Sequence, residues 1–144
     1  MRKAAMAALV AVTGLSGGAV VPATGAGAAT YTRHLVLRET GSHQVGPREA
    51  SVGTDKARSA RTGGVVGFDS FTTRRFHATG TVLIQVAFAL KGGIIVGRVK
   101  SVSGQPRFEG PILKGTGKYV GVDGTITGRF GERGRTTVTL RYTL

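Results

Sequence analysis

The stretch from Thr79 to Leu90 constrains the fold more than any other, because it alternates with a period of two and shows no helical spacing. Val82, Ile84, Val86, Phe88 and Leu90 fall on one face of a strand, and Thr81, Leu83, Gln85, Ala87 and Ala89 on the other. Both faces are largely apolar, so both are expected to be covered, one by a barrel interior and the other by packing outside it. Lys91, Gly92 and Gly93 supply a tight turn, and Ile94 to Val102 returns as the partner strand.

The same alternation continues on either side. His34, Val36 and Arg38 alternate with Leu35 and Leu37 in a first short strand. Arg48 to Thr62 is polar and weakly patterned, which predicts a loop or an edge strand. Gly64 to Arg75 reads as a strand with Val66, Phe68 and Ser70 on one face. After a turn at Gly104, Gln105 and Pro106 come a short strand from Phe108 to Leu113 and a glycine corner at Gly115 to Gly117. A long strand from Lys118 to Phe130 follows, then a turn at Gly131 to Gly134, then a last strand carrying Thr136, Val138, Leu140 and Tyr142. Seven or eight short strands with glycine turns argue for a barrel or sandwich. The 24 glycines favour a small, strongly coiled barrel, since glycine inside a strand marks a bend or a close backbone approach.

The N-terminal segment has another character. Arg2 and Lys3 precede an apolar run from Ala4 to Val21, Pro22 ends it, and Ala26 and Ala28 stand at the spacing a signal peptidase reads. Thr13, Gly14, Ser16, Gly17 and Gly18 interrupt the run and make it a poor bilayer span. The expected organisation is a cleaved signal peptide over residues 1–29 and one β-barrel domain over 30–144, secreted and with no membrane span after cleavage. Loss of Arg2 and Lys3 lowers the net charge from +13 to +11. The basic residues are scattered, and aromatic residues make up only 6%, so no nucleic-acid partner is expected. There is no cysteine, and stability must come from sheet pairing and core burial.

Phe108-Glu109-Gly110-Pro111-Ile112-Leu113-Lys114-Gly115-Thr116-Gly117-Lys118-Tyr119 resembles the E-x-P-V-x-G-G-T-G-K-F/Y segment of dirigent proteins. With Gly121 and Gly124 after it, the block is similar to the bacterial allene oxide cyclase-like barrel proteins. Val52-Gly53-Thr54-Asp55, Gly63-Gly64-Val65-Val66-Gly67 and Ile94-Ile95-Val96-Gly97-Arg98 fit further segments of that pattern, over about residues 33 to 144. The resemblance implies a small eight-stranded antiparallel, calycin-like barrel with a central pocket for a small apolar molecule, assembled as a dimer or trimer. It also implies that isomerase or cyclase activity is within the family's range. Two departures stand out: no cysteine near Phe71 or Ala78, and Asp123 where dirigent proteins carry an arginine after the glycine corner.

Motifs for other chemistries are missing. Gly115-Thr116-Gly117 with Gly121 is similar to a dinucleotide fingerprint, but its third glycine comes one place late and no helix follows. His34, His43 and His77 lack ligand spacing, so no metal is expected, nor any cofactor. The mature region has no Gly-x-Ser-x-Gly elbow, and no catalytic residue can be named. What is left is the lumen, with Leu83, Gln85, Arg98, Glu109, Tyr119, Asp123 and Tyr142 as candidate ligand-binding residues and Gly115 and Gly117 as a structural corner. Strand register decides whether each of these faces the lumen or solvent, and Arg98 and Glu109 could equally form an ion pair across neighbouring strands.

Two functions fit this reading. One is a barrel that binds a small hydrophobic molecule in its lumen, with isomerase or cyclase activity on it. The other is a non-catalytic extracellular protein whose basic surface binds anionic cell-wall polymer or a partner protein. The two-faced Thr79–Leu90 strand also predicts a homo-oligomer, with Val82, Ile84 or Val86 near the interface if Leu83 points inward. The export reading predicts a secreted form beginning at Ala29 or Thr30. Intact-mass measurement on culture supernatant checks this, and a full-length chain held in the membrane would contradict it.

Overall fold

The computed structural model describes residues 27–46 and 50–144; the expected signal sequence lies almost wholly outside them. Eight antiparallel strands follow in chain order: β1 (Thr30–Gln44), β2 (Ala50–Ser59), β3 (Val65–Phe76), β4 (Thr81–Leu90), β5 (Gly93–Val102), β6 (Arg107–Gly115), β7 (Asp123–Phe130) and β8 (Arg135–Thr143). Each pairs with the next and β8 closes on β1, giving a closed eight-stranded barrel. The only helical element among the described residues is a single 3-10 turn, Gly117–Tyr119. The all-β barrel expected from the alternation is the fold observed.

Closure makes side-chain parity decisive, since alternate residues of every strand must point into the barrel. On β4 the inward set is Ile84, Val86, Phe88 and Leu90, all buried, with Val82 half-buried at the upper end. Around the ring they meet Leu35 and Leu37 of β1, Ala57 of β2, Ile95 and Val99 of β5, and Phe108 and Ile112 of β6. Ile126 of β7 and Val138 and Leu140 of β8 complete the core. Val82, Ile84 and Val86 therefore face the interior and are not available to an interface. Leu83, Gln85, Ala87 and Ala89 face outward.

Four further expectations need correction. The Arg48–Thr62 region contains a full strand, β2, laddered to β1 on one side and β3 on the other. Its inward positions Ser51, Gly53, Asp55 and Ala57 carry little apolar signal, which is why the pattern looked weak. On β3 the interior face belongs to Asp69 and Phe71, while Phe68 is 52% exposed. The first strand extends well beyond Arg38, to Gln44, with a register shift between Glu39 and Gly41. Lys118 to Val122 is not strand: the chain makes its 3-10 turn there, and Gly121 takes a φ of +84° before β7 begins.

One end of the barrel is plugged. Tyr119 is fully buried, its ring edge-on to that of Tyr142 at 6.0 Å between centroids, and Tyr31 stacks on Tyr142 at 5.5 Å. The Arg33 Nε donates to the Tyr142 hydroxyl at 3.0 Å. The Gly115–Gly117 corner sets this plug. Gly117 has a φ of +59°, and a Cβ there would lie 2.2 Å from the Gly92 carbonyl oxygen of the facing hairpin. Gly117→Val should therefore destabilise the fold by about 1–3 kcal/mol, the cost of a strained backbone position plus the clash. Urea or thermal unfolding checks this; an unchanged midpoint would remove the corner from the account.

Candidate functional site

The upper half of the barrel is hollow. A cavity of about 500 Å³ runs down from the end where β3 meets β4 and β5 meets β6. Its mouth is formed by Arg75, Ser103, Gly104, Gln105, Gly131, Gly134 and Arg135, all exposed. Its depth is lined by Leu37, Val86, Phe88, Val99, Phe108, Ile126 and Val138. The volume lies in the range of pockets that take drug-sized molecules. Glycine helps shape it: a Cβ on inward-facing Gly128 would sit 2.2 Å from the Phe108 ring, so only glycine lets that ring lie against β7.

The lining is not uniform. Strands β2 and β3 contribute Ser51, Asp55, Asp69 and Thr73, whereas β6 and β7, on the far side in ring order, contribute Phe108, Ile126 and Phe130. Ser51 and Thr73 hydroxyls hydrogen-bond at 2.6 Å. Below them Asp55 and Asp69 are direct cross-strand partners, 8% and 4% exposed, and the Asp55 backbone N–H donates to Asp69 Oδ1 at 3.1 Å. Glu39 of β1 is opposite Asp55 in the next ladder and also lines the cavity.

This surrounding sets the carboxyls' protonation. Burial pushes Asp69 up to about 8, and the neighbouring Asp55 charge adds to the effect. Asp55 is pushed up to about 6, again mainly by burial and then by the charge of Glu39. Near neutral pH the pair therefore holds one proton, as expected when two carboxyls share a poorly solvated site. Among the described residues no group of three or more His, Asp or Glu side chains is placed to hold a metal ion.

The residues proposed from sequence fall elsewhere. Gln85, Arg98, Glu109 and Asp123 are exposed, each next in sequence to inward positions, so all four belong to the outer wall. Leu83 is half-buried on the outer face of β4. Tyr119 and Tyr142 are interior, but in the plug below the cavity. Glu109 stands across from Lys100 in the β5–β6 ladder, and Arg98 across from Gln85 in the β4–β5 ladder, so the two do not face each other. Asp55 and Asp69 were not singled out. The one signal in the sequence is parity: Asp55 is two residues before Ala57, and Asp69 two before Phe71, so each shares a face with a residue the core can use.

No family model and no curated protein matches the chain. Solved structures do. Pyocyanin demethylase superposes with a TM-score of 0.65 at 18% identity, over 78% of this chain and 100% of that one. The exo-specific intermolecular Diels-Alderase AbnU gives 0.66 at 12% identity, over 81% and 98%. A nonspecific heme-binding cyclase that catalyses a [4 + 2] cycloaddition in neoabyssomicin biosynthesis gives 0.62 at 14%, over 81% and 68%. The shared feature is the fold. These neighbours include enzymes of cyclase and Diels-Alderase type built on small barrels.

The buried pair has a thermodynamic consequence. A carboxyl whose folded-state pKa is raised makes its full contribution below its unfolded value, near 3.8, and loses it as pH rises through the folded value. Stability should thus fall between about pH 4 and pH 8. Asp69→Asn keeps the acceptor for the Asp55 N–H but cannot ionise. It should match the parent near pH 4 and exceed its thermal midpoint at about pH 9 by at least about 4 °C, one kcal/mol in a domain of this size. Calorimetry across that range checks it; parallel pH profiles for the two proteins would contradict the buried charge.

Proposed function

We propose that this chain is an exported barrel that takes a small, largely apolar molecule into its lumen and promotes its cyclisation or isomerisation, in the manner of the allene oxide cyclase-like proteins. The observation that carries the reading is that the barrel is not packed shut. Eight strands can be filled by their own side chains, yet about 500 Å³ is left open here between an apolar wall and a buried carboxyl pair. Cyclase-type barrels among the structural neighbours support the reading. Such a reaction asks little acid–base chemistry of the protein, since a cavity that holds a reactive conformer gains through orientation. The apolar wall would supply most of the affinity, and the β2–β3 wall the orientation.

Self-association belongs to the same proposal, on a surface other than Val82–Val86. Phe68, Ala89 and Ile94 are lateral neighbours on the outer face of β3, β4 and β5, with Phe68 and Ile94 exposed. The rival reading, a surface that holds anionic polymer, has its own observation. A groove on the outside of β5–β8 is lined by Lys100, Arg107 and Arg129 beside Thr125, Thr127, Thr137 and Thr139, with Glu109 opposite Lys100 as its one carboxylate among the described residues.

A thermal-shift screen with terpenoid, fatty-acid and polyketide ligands separates the two. The lumen reading predicts stabilisation of about 2.7 kcal/mol at a hundred times Kd, barely changed by salt. Val86→Trp or Val99→Trp, which fill the cavity, should abolish it, and Leu83→Trp on the outer wall should leave it intact. Indifference to the whole library, together with polymer binding that collapses as salt rises, would overturn the reading in favour of its rival.

A further inference from the structure

The chain carries 20 Lys and Arg against 7 Asp and Glu, yet three of those seven, Glu39, Asp55 and Asp69, occupy one level of the lumen on three consecutive strands. In a protein this basic, a structural carboxylate pair has cations within easy reach of evolution, and buried carboxyls are normally offset by one. None is supplied here among the described residues. The inward positions of β4, which packs on Asp69 from the other side, are Val82, Ile84, Val86, Phe88 and Leu90. Asp55 and Asp69 are influenced by burial, by each other and by Glu39, and among the described residues no cation offsets them. Among the described residues, the only cationic side chains lining the cavity are Arg75 and Arg135, exposed at the mouth, where ionic strength screens them.

We propose that the lumen's ligand carries a cationic nitrogen, as an amine or a protonated nitrogen heterocycle, on its apolar body, and that Asp55 and Asp69 receive it. The proposal rests on the lumen reading above and specifies the ligand's polar end. The geometry divides the molecule: rings or chains against Val99, Phe108, Ile126 and Val138, and the nitrogen against the β2–β3 wall, where Ser51 and Thr73 add hydroxyl acceptors. Binding a cation there expels the proton the pair otherwise keeps, so affinity and pH are linked. A buried pair in a poorly solvated wall outweighs two solvated arginines at the rim, because screening acts on the latter far more. Among the described residues, the charged groups facing the pair are Glu39 from β1 and, at the mouth, Arg75 of β3 and Arg135 of β8, all three exposed, so the buried pair itself carries the preference.

The test uses three probes with one ring body: 2-naphthylmethylamine, 2-naphthalenemethanol and 2-naphthylacetic acid, titrated calorimetrically into the mature protein. The amine should bind about tenfold or more tightly than the alcohol, the cost of leaving a charge-assisted contact unmade. The acid should bind most weakly. Amine affinity should rise between pH 6 and pH 8 with proton release, while alcohol affinity stays level. In Asp55→Asn/Asp69→Asn the amine preference and its pH dependence should vanish, with alcohol binding retained as proof of a folded lumen. An amine no better than the alcohol, or a preference that survives in the double variant, overturns the proposal and leaves the lumen reading standing. If no probe binds, or Val86→Trp changes none of the affinities, the lumen reading falls and the proposal with it.

Discussion

Everything in this molecule depends on the β1–β8 ladder, which runs from Thr30↔Thr143 to Arg38↔Arg135 and turns an open sheet into a ring. A closed ring has no free edge, and it leaves each side chain only two places to go. Once Leu35 and Leu37 are committed inward, the ladders carry that choice around the barrel: Leu37 to Ala57, Glu39 to Asp55, Asp55 to Asp69, Asp69 to Phe88. The carboxyl pair is inside because strand parity leaves it no other position. Its energetic cost is therefore imposed by register, and register is held by the many apolar residues that would be turned outward if any strand slipped by one.

The same closure separates stability from binding along the barrel axis. Below, Tyr119 and Tyr142 pack against each other and against the hairpin at Gly92–Gly93, so this end is solid. Above, the small polar side chains of Ser51, Thr73 and Ser101 line the cavity without filling it, while Gly53 and Gly128 make room for the rings of Phe71 and Phe108. Fold and site thus draw on different halves of the same strands. This is why a substitution at Gly117 and one at Asp69 are expected to act in opposite directions on stability.

How much was legible in the sequence follows from what alternation can and cannot encode. β4 and its turn into β5 were readable because a long run of alternating apolar residues ending in Lys91-Gly92-Gly93 has few other solutions. The inward face of β4 was not readable, since Leu83 and Ala87 are as apolar as their neighbours. This ambiguity misplaced Leu83 and Gln85. β2 was hidden for the converse reason: Ser51 and Asp55 line a cavity, where a residue has no need to be hydrophobic, and Gly53 between them gives its space to the Phe71 ring. On β3 the exposed Phe68 and the buried Asp69 invert the usual assignment, so a pattern-based reading selects the wrong face. The site was illegible because it breaks the rule by which the fold was read.

The central claim is that two carboxyls lie side by side in a poorly solvated lumen, with no cation beside them among the described residues. Carbon-13 NMR titration of the aspartate carboxyl groups, assigned through Asp55→Asn and Asp69→Asn, measures this directly. The account predicts one aspartate titrating near 6 and another near 8, with the upper transition moving down when either partner is replaced. Aspartates that all titrate near the ordinary value of about 3.9 would contradict it, because the lumen would then be a wet or internally neutralised space.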